Sequence, residues 1–424
     1  MRVIVCGAGI IGVTTAYELA RKGFETIVVD RCAGVARETS AGNAGVIAPG
    51  YVTPWAAPGM PRKVLRYLGK PAAPVIFRPR ASVSQWRWIW RWLKNCSEAH
   101  YRINKGRSQR VAYYSRERLH HVRSELGIEY EASQGYLQLF RSGKDRELAA
   151  PALAILREAG IAHQLLEPDM CLAIEPGLMA REAPLHSGLF LPDDEAGDCA
   201  LFAERLAARL QDEGVVFRLR TTIEGLASSD SGRIVGVAVR DEAGRGEFLE
   251  ADAVVLAAGV ESVALARPLG IDLPLYPVKG YSVTLRVSNE AFAPRAAMID
   301  EAYKTAITRF GDRVRIAGTA ELSDDALTPR ATPCNTLLTV ARDWFPQGIA
   351  IPMKPDFWIG RRPMTPDGPP LLGPTPVGGL FLNVGHGSSG WAMSLGSARA
   401  VADVVAGDAP DLDLDGLTLS RYGG

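Results

Sequence analysis

The 424-residue chain has almost no net charge, because 48 basic side chains stand against 47 acidic ones. With no global field to gather polyanions, nucleic acid is excluded as a general partner. The six cysteines stand at 6, 32, 96, 171, 199 and 334, never at C-x-x-C spacing, and a chain this long needs no disulfide staples. Six histidines include no H-x-x-x-H pair and no His/Cys cluster, so no metal site is expected. No apolar run approaches the roughly 18 residues that cross a bilayer. Gly at 43 and Pro at 28 fall far below collagen-like or low-complexity usage, and 47% hydrophobic content is that of a globular protein. The expectation is a reduced, cytoplasmic protein of two or three domains. An apolar start could suggest a signal peptide, but Glu18 and regularly spaced glycines argue against one.

What is present begins at once. Residues 2–6 (RVIVC) read as a buried strand, followed by Gly7-Ala8-Gly9-Ile10-Ile11-Gly12, a helical pattern closed by Gly23, and a second strand at 25–29 ending in Asp30. Strand, G-x-G-x-x-G, helix, strand and terminal acid within about 30 residues form a dinucleotide-binding βαβ unit. Gly7 permits the tight turn, Gly9 lets the backbone approach a pyrophosphate, and Gly12 lets the helix pack close, its N-terminus facing the phosphates. Asp30 is placed to accept hydrogen bonds from ribose hydroxyls.

Residues 39–62, rich in Gly, Pro and Ala, read as a long irregular loop whose small residues let the backbone lie flat against a planar ligand. The helical stretch from 84 to 123 opens with Trp86, Trp88, Trp90 and Trp92 interleaved with basic residues. Two readings stand: an interfacial membrane contact through residues 84–96, or a helix packing its indoles under a neighbouring domain. Residues 133–140 alternate as a strand, 145–159 read as helix, and 200–211 as an amphipathic helix before the strand VVFRL. After 270 the pattern is mostly antiparallel sheet, with strands at 276–287, 302–308 and 313–317, then a helix near 336–344. Near the end a strand at 379–384, the cluster Gly385-His386-Gly387-Ser388-Ser389-Gly390 and a helix at 391–406 repeat the strand, glycine turn and helix of the start. If this last helix also points its N-terminus at the ligand, both chain ends embrace it, an arrangement that suits FAD better than freely exchanging NAD, with both cofactors left open by these residues alone.

Together, VIVCGAGIIGVTTAYELARKG, ETSAGNAGVIAPGYVTPWAAPG, YPVKGYSVTL, GRRPMTPDGPPLLG and NVGHGSSGWAMSLGSARAVADVVAG resemble the flavin-carrying small subunits of bacterial D-amino-acid dehydrogenases. These lie within the wider D-amino-acid oxidase, glycine oxidase and sarcosine oxidase superfamily. The resemblance implies non-covalent FAD and an α/β fold: a Rossmann-type FAD-binding domain (1–80, 187–270, 355–424) with an α+β substrate domain on a mostly antiparallel sheet (81–186, 271–354). It implies that Ser40, Asn43, Ala44 and Gly45 contact the flavin, with Thr39 and Val46 beside them. Further cofactor positions are Ile10, Ile11, Arg31, Val216, Ala258, Gly259, Gly360, Gly385, Gly387, Ser388, Ser389 and Gly390. Arg362 is the expected anchor of a substrate carboxylate, with Arg361 the variable residue of its motif. No cysteine lies between Gly360 and Gly390 to tether the flavin.

The implied chemistry is hydride transfer from the substrate Cα to flavin N5, giving a 2-oxo acid and ammonia, with electrons passed to a quinone or another acceptor. Tyr281 and Tyr303 are candidates to bind substrate, each equally readable as an ordinary strand tyrosine. Tyr51 is a candidate lid, and His386 either neighbours the flavin or caps a helix. Two other functions stay open: an oxygen-using oxidase of glycine, sarcosine, D-proline or D-hydroxyproline, and a flavin-binding subunit without activity. A quinone acceptor would give the Trp/Arg helix a place on the cytoplasmic face of the inner membrane.

Overall fold

A computed structural model describes residues 1–67, 73–323 and 326–423. The strand Arg2–Cys6 lies in the middle of a six-stranded sheet ordered Leu371–Pro374, Leu380–Val384, Ala253–Leu256, Arg2–Cys6, Glu25–Val29, Val216–Arg218. All neighbours run parallel except the first pair. Being buried on both faces, the central strand is continuously apolar, and period two divides it. Val3 and Val5 enter a core shared with the helices Ile10–Arg21, Cys199–Asp212 and Gly390–Ala406. Ile4 and Cys6 enter a second core under the three-stranded sheet of residues 221–250. The long helix Glu98–Leu126 crosses the C-terminal helix so closely that a Cβ on Gly396 would lie 2.7 Å from the Ser115 nitrogen.

A mixed, mostly antiparallel sheet forms the other layer, its path running from Ile349–Ala350 through Tyr276–Val287, Arg313–Leu322, Thr305–Phe310, Ala297–Asp300, Ser133–Phe140 and Ser187–Ala196 to Val46–Ile47. Phe357–Met364 pairs with Tyr276–Val287. One face packs on the helix Ala331–Trp344, where Trp344 and Phe345 are fully buried.

Several expectations are corrected. Residues 187–196 and 357–364, assigned to the cofactor half, are strands of the mixed sheet, because their backbone pairs there. The helix Glu98–Leu126, assigned to the substrate half, packs on the C-terminal helix. The stretch 84–123 is two helices, Val83–Lys94 and Glu98–Leu126, because Ser97 accepts the His100 N–H and starts a new N-terminus. The strand expected from 302 begins at Thr305, because Asp300 Oδ1 accepts the N–H groups of Ala302 and Tyr303 and holds a turn.

Candidate active site

The glycine turn is shaped by close approach. Gly7 has φ +107, and a Cβ there would lie 2.8 Å from the Ala257 carbonyl oxygen of the neighbouring strand end. A Cβ on Gly12 would lie 1.8 Å from the Gly7 oxygen, so the helix can turn back only with glycine. Gly9 differs: its Cβ would meet only Ser40 Oγ, at 3.3 Å, so its other side is open. Ser40 reaches in from the irregular loop and accepts the Ile10 N–H at 3.0 Å, an acceptor that the N-terminal Gly9 cannot supply itself. Asp30 is turned onto the glycine turn and its own strand end, accepting the N–H groups of Ala8 at 2.6 Å and Cys32 at 2.7 Å.

An elongated cavity of about 270 Å³, open to solvent, runs along this edge. It starts at Asp30 and Thr221–Ile223, passes Gly7, Gly9–Ile11 and Ser40, and ends at Asn383–Gly387, Gly390 and Trp391. Both chain ends line it, and the N-termini of two helices meet it. Trp391 Nε1 and Asn383 Oδ1 are buried among its lining residues without hydrogen-bond partners among the described residues. At its rim Glu261 bridges Arg31 and Arg361, and Arg31 also pairs with Glu38.

Arg362 lies on the strand Phe357–Met364, opposite Val278 and beside Gly280. Its guanidinium occupies the space that a side chain at position 280 would fill, since a Cβ there would be 2.4 Å from Cζ. It donates to the carbonyls of Thr319 at 2.9 Å, Gly318 at 3.4 Å and Lys279 at 3.5 Å. Among the described residues no carboxylate pairs with it, and burial pushes its pKa down to about 10, leaving it charged at neutral pH. Trp55 closes the other side, its ring centroid 5.9 Å from Cζ. Trp55 also lines a small pocket with Val52, Pro54, Met364, Gly368 and His386. His386 and Gly387 border both this space and the long cavity.

The family described as FAD dependent oxidoreductase matches residues 2–404. The chain belongs to this family. It is therefore an oxidoreductase that uses FAD. It is 47% identical over its whole length, and 95% of theirs, to a protein of Cereibacter sphaeroides named D-amino acid dehydrogenase. A protein of that name from Neisseria meningitidis is 46% identical, with both chains fully covered. Among solved structures, glycine oxidase from Geobacillus kaustophilus superposes with a TM-score of 0.74 at 22% identity, covering 100% of this chain and 99% of that one. L-proline dehydrogenase from P. horikoshii gives 0.73 at 18%, covering 100% and 97%. These two likenesses bear on the fold.

The residues present fit the family's cofactor: a glycine-lined edge open at Gly9, two helix N-termini for phosphate charge, and two unpartnered polar atoms in the far wall. Of the positions read from sequence, Gly7, Gly9, Ile10, Ile11, Asp30, Arg31, Thr39, Ser40, Asn43, Ala258, Gly259, Gly385, Gly387 and Gly390 line the cavity. Gly12, Ala44, Gly45, Val46, Gly360, Ser388 and Ser389 are not in its lining. Gly12, Gly45 and Gly360 shape their surroundings instead: a Cβ would strike the Gly7 oxygen, the Phe310 ring and the Trp358 ring respectively. Val216 is not in the cavity lining and is 47% exposed where its edge strand begins opposite Ile27; Thr221–Ile223 line the cavity nearby in sequence.

The tyrosines also separate. Tyr281 is one residue from Gly280 and so on the opposite face of its strand, where its hydroxyl donates to buried Glu321 at 2.5 Å. It does not share the Arg362 face, and its pKa is raised by burial and by Glu321. Tyr303, expected on a strand, is instead on the turn before the strand Thr305–Phe310, its ring 4.7 Å from the Arg141 Cζ. Tyr51 is in the irregular loop but already fastened, donating to Glu301 at 3.2 Å and packing edge-on to Tyr136. His386 bonds through Nε2 to Ser397 Oγ at 3.0 Å, and because that hydroxyl donates to the Ser394 carbonyl the histidine is the donor. Burial pushes its pKa down to about 3, so it is neutral.

Sequence reasoning missed Trp55, Glu261, Asn383 and Trp391. Trp55 carried a signal, a large aromatic among small residues after Pro54; the others depend on tertiary placement.

Proposed function

We propose that this oxidoreductase deaminates D-amino acids oxidatively to 2-oxo acids and ammonia. The observation that carries the reading is the buried Arg362 guanidinium, unpaired by any described carboxylate. A guanidinium fork and a carboxylate pair through two parallel hydrogen bonds, fixing position and orientation together. The names of the relatives from Cereibacter sphaeroides and Neisseria meningitidis support the D-amino-acid class. FAD, when bound, supplies the two-electron acceptor. The chain supplies the rest. Arg362 orients the substrate carboxylate, Trp55 covers it and excludes water, and neutral His386 holds the turn between the two cavities without adding charge.

The cofactor half consists of the parallel sheet and its helices; the substrate half is the mixed sheet with the helix Ala331–Trp344. Gly7, Gly9, Ser40 and Asp30 would hold the phosphates and ribose, and Asn383 and Trp391 the far end. Attachment is non-covalent in this reading: Cys32, the cysteine in the lining, has its pKa raised to about 11 by burial and nearby acids, so its thiol stays protonated.

A membrane-borne quinone is the acceptor that the surface favours. No helix of the described residues is long and apolar enough to cross a membrane. Between Glu38 and Glu98, however, the chain has nine Lys or Arg and no Asp or Glu. On the helix Val83–Lys94, Trp88 is buried and donates to the Met364 carbonyl at 2.9 Å, whereas Trp86 and Trp90 are about half exposed. One indole packs inward, and the two exposed ones supply the surface that a membrane contact would use.

Anaerobic mixing of the flavin-loaded protein with D- and L-amino acids, glycine, sarcosine and proline isomers tests the reading. Bleaching of flavin absorbance by D-amino acids is expected. Bleaching only by L-isomers or by none would overturn it, and rapid peroxide formation in air would replace the quinone with oxygen.

A further inference from the structure

The structure assigns a positioning role to Arg421: from the C-terminal segment it holds the loop carrying Asp367 and Gly368, and that loop sets Trp55 over Arg362 through Pro54. The inference rests on the substrate role proposed for Arg362.

The contacts form an unbroken line. Arg421 and Asp367 are both 7% exposed in their side chains, and Arg421 donates through Nε to Asp367 Oδ2 at 2.9 Å and through Nη2 to Oδ1 at 3.3 Å. The same guanidinium donates to the carbonyls of Pro370 at 2.8 Å, Gly416 at 3.2 Å and Pro369. The Tyr422 hydroxyl also donates to Asp367 Oδ1. Among the described residues no other group bonds that carboxylate. Asp367 lies in a turn closed by Thr365, whose hydroxyl donates to the Pro369 carbonyl at 3.0 Å and accepts the Gly368 N–H at 3.1 Å. Gly368 has φ +111 and lies so near Pro54 that a Cβ would be 2.7 Å from the proline Cβ. The next residue is Trp55, above the Arg362 guanidinium.

The line leads to the site from outside it. Gly368, Pro54 and Trp55 line the small pocket that Met364 and His386 also line, so moving the turn moves a wall and the cover over Arg362 together. Arg421 itself lines neither cavity and reaches Arg362 through these residues. Five donations from one guanidinium match a fork that a lysine cannot reproduce.

The test uses flavin-loaded Arg421→Lys and Tyr422→Phe, with benzoate as a probe carboxylate read by its perturbation of the flavin spectrum, and steady-state kinetics on the D-amino acid that wild type reduces fastest. Arg421→Lys should raise KM and the benzoate Kd about tenfold, comparable to one lost charge-assisted hydrogen bond, with kcat changed by less than about threefold. FAD affinity should stay near wild type in both variants, whereas Tm should fall in Arg421→Lys, which disrupts a buried ion pair, and fall less in Tyr422→Phe, so binding is read well below either Tm. In a double-mutant cycle with Trp55→Phe the two effects should be strongly non-additive, because they act through one contact. Unchanged KM and benzoate Kd in both variants would overturn the role. So would an additive cycle, or losses that track FAD release. If wild type is bleached by no D-amino acid yet its benzoate Kd shifts in Arg421→Lys, the substrate reading fails while the positioning role stands.

Discussion

Arg362→Lys keeps the charge and removes the fork. If two parallel charge-assisted hydrogen bonds hold the substrate carboxylate, each contributes about 1.5–3 kcal/mol, and a lysine keeps one at best. The expected loss in kcat/KM is therefore about 1.5–3 kcal/mol, roughly 10- to 150-fold. A lysine also cannot donate to the carbonyls of Thr319, Gly318 and Lys279 while reaching a ligand, which pushes the loss to the upper end. FAD affinity should not change, because Arg362 is not in the lining of the long cavity. Even lowered to about 10, the Arg362 pKa leaves it protonated below about pH 9, so wild type should show no loss of carboxylate affinity from this group between about pH 7 and 9. Anaerobic stopped-flow reduction across substrate concentrations separates binding from the limiting rate. A kcat/KM within about threefold of wild type would refute the assignment.

Gly12→Ala should cost at least about 1–3 kcal/mol of stability, because its methyl would overlap the Gly7 oxygen, whereas Gly9→Ala should fold with a near-native apo Tm and bind FAD weakly. Denaturation curves and FAD fluorescence titration separate the two. Asp194 is buried, with its pKa raised to about 7 chiefly by desolvation. The folded state therefore holds a proton that the unfolded state releases, and wild type loses stability as pH rises from about 4 to 7. Asp194→Asn should gain stability relative to wild type across that window and keep the gain above it; urea melts showing a constant difference from about pH 4 to 8 would contradict this. Trp86→Ser with Trp90→Ser should abolish flotation with anionic liposomes while leaving flavin reduction intact, and unchanged flotation would remove this helix from any membrane contact.

The cofactor edge was legible because its determinants are local. A βαβ unit with three glycines and a terminal acid fixes its own geometry, and the same local logic found the C-terminal strand, turn and helix. The substrate side depends on which strand faces which. Tyr281 and Gly280 are neighbours in sequence, yet only the pairing of Tyr276–Val287 with Phe357–Met364 reveals that Arg362 overlies the glycine and the tyrosine faces Glu321. The sequence of Val83–Lys94 could not say which of its indoles turned inward, since the Met364 carbonyl that receives Trp88 is distant in sequence. Trp55 was hidden by a different gap: a loop without periodicity gives no hint of what lies beneath each residue.

The central sheet also constrains the birth of the protein. Arg2–Cys6 is made before its neighbour Ala253–Leu256, which follows only after most of the intervening layers, and Leu380–Val384 with the helix Gly390–Ala406 come later still. On the ribosome the βαβ unit must wait with one edge of its middle strand unpaired, a state prone to mispairing. Flavin capture can follow only once Gly390–Ala406 has emerged, so chains terminated before that helix should be colourless.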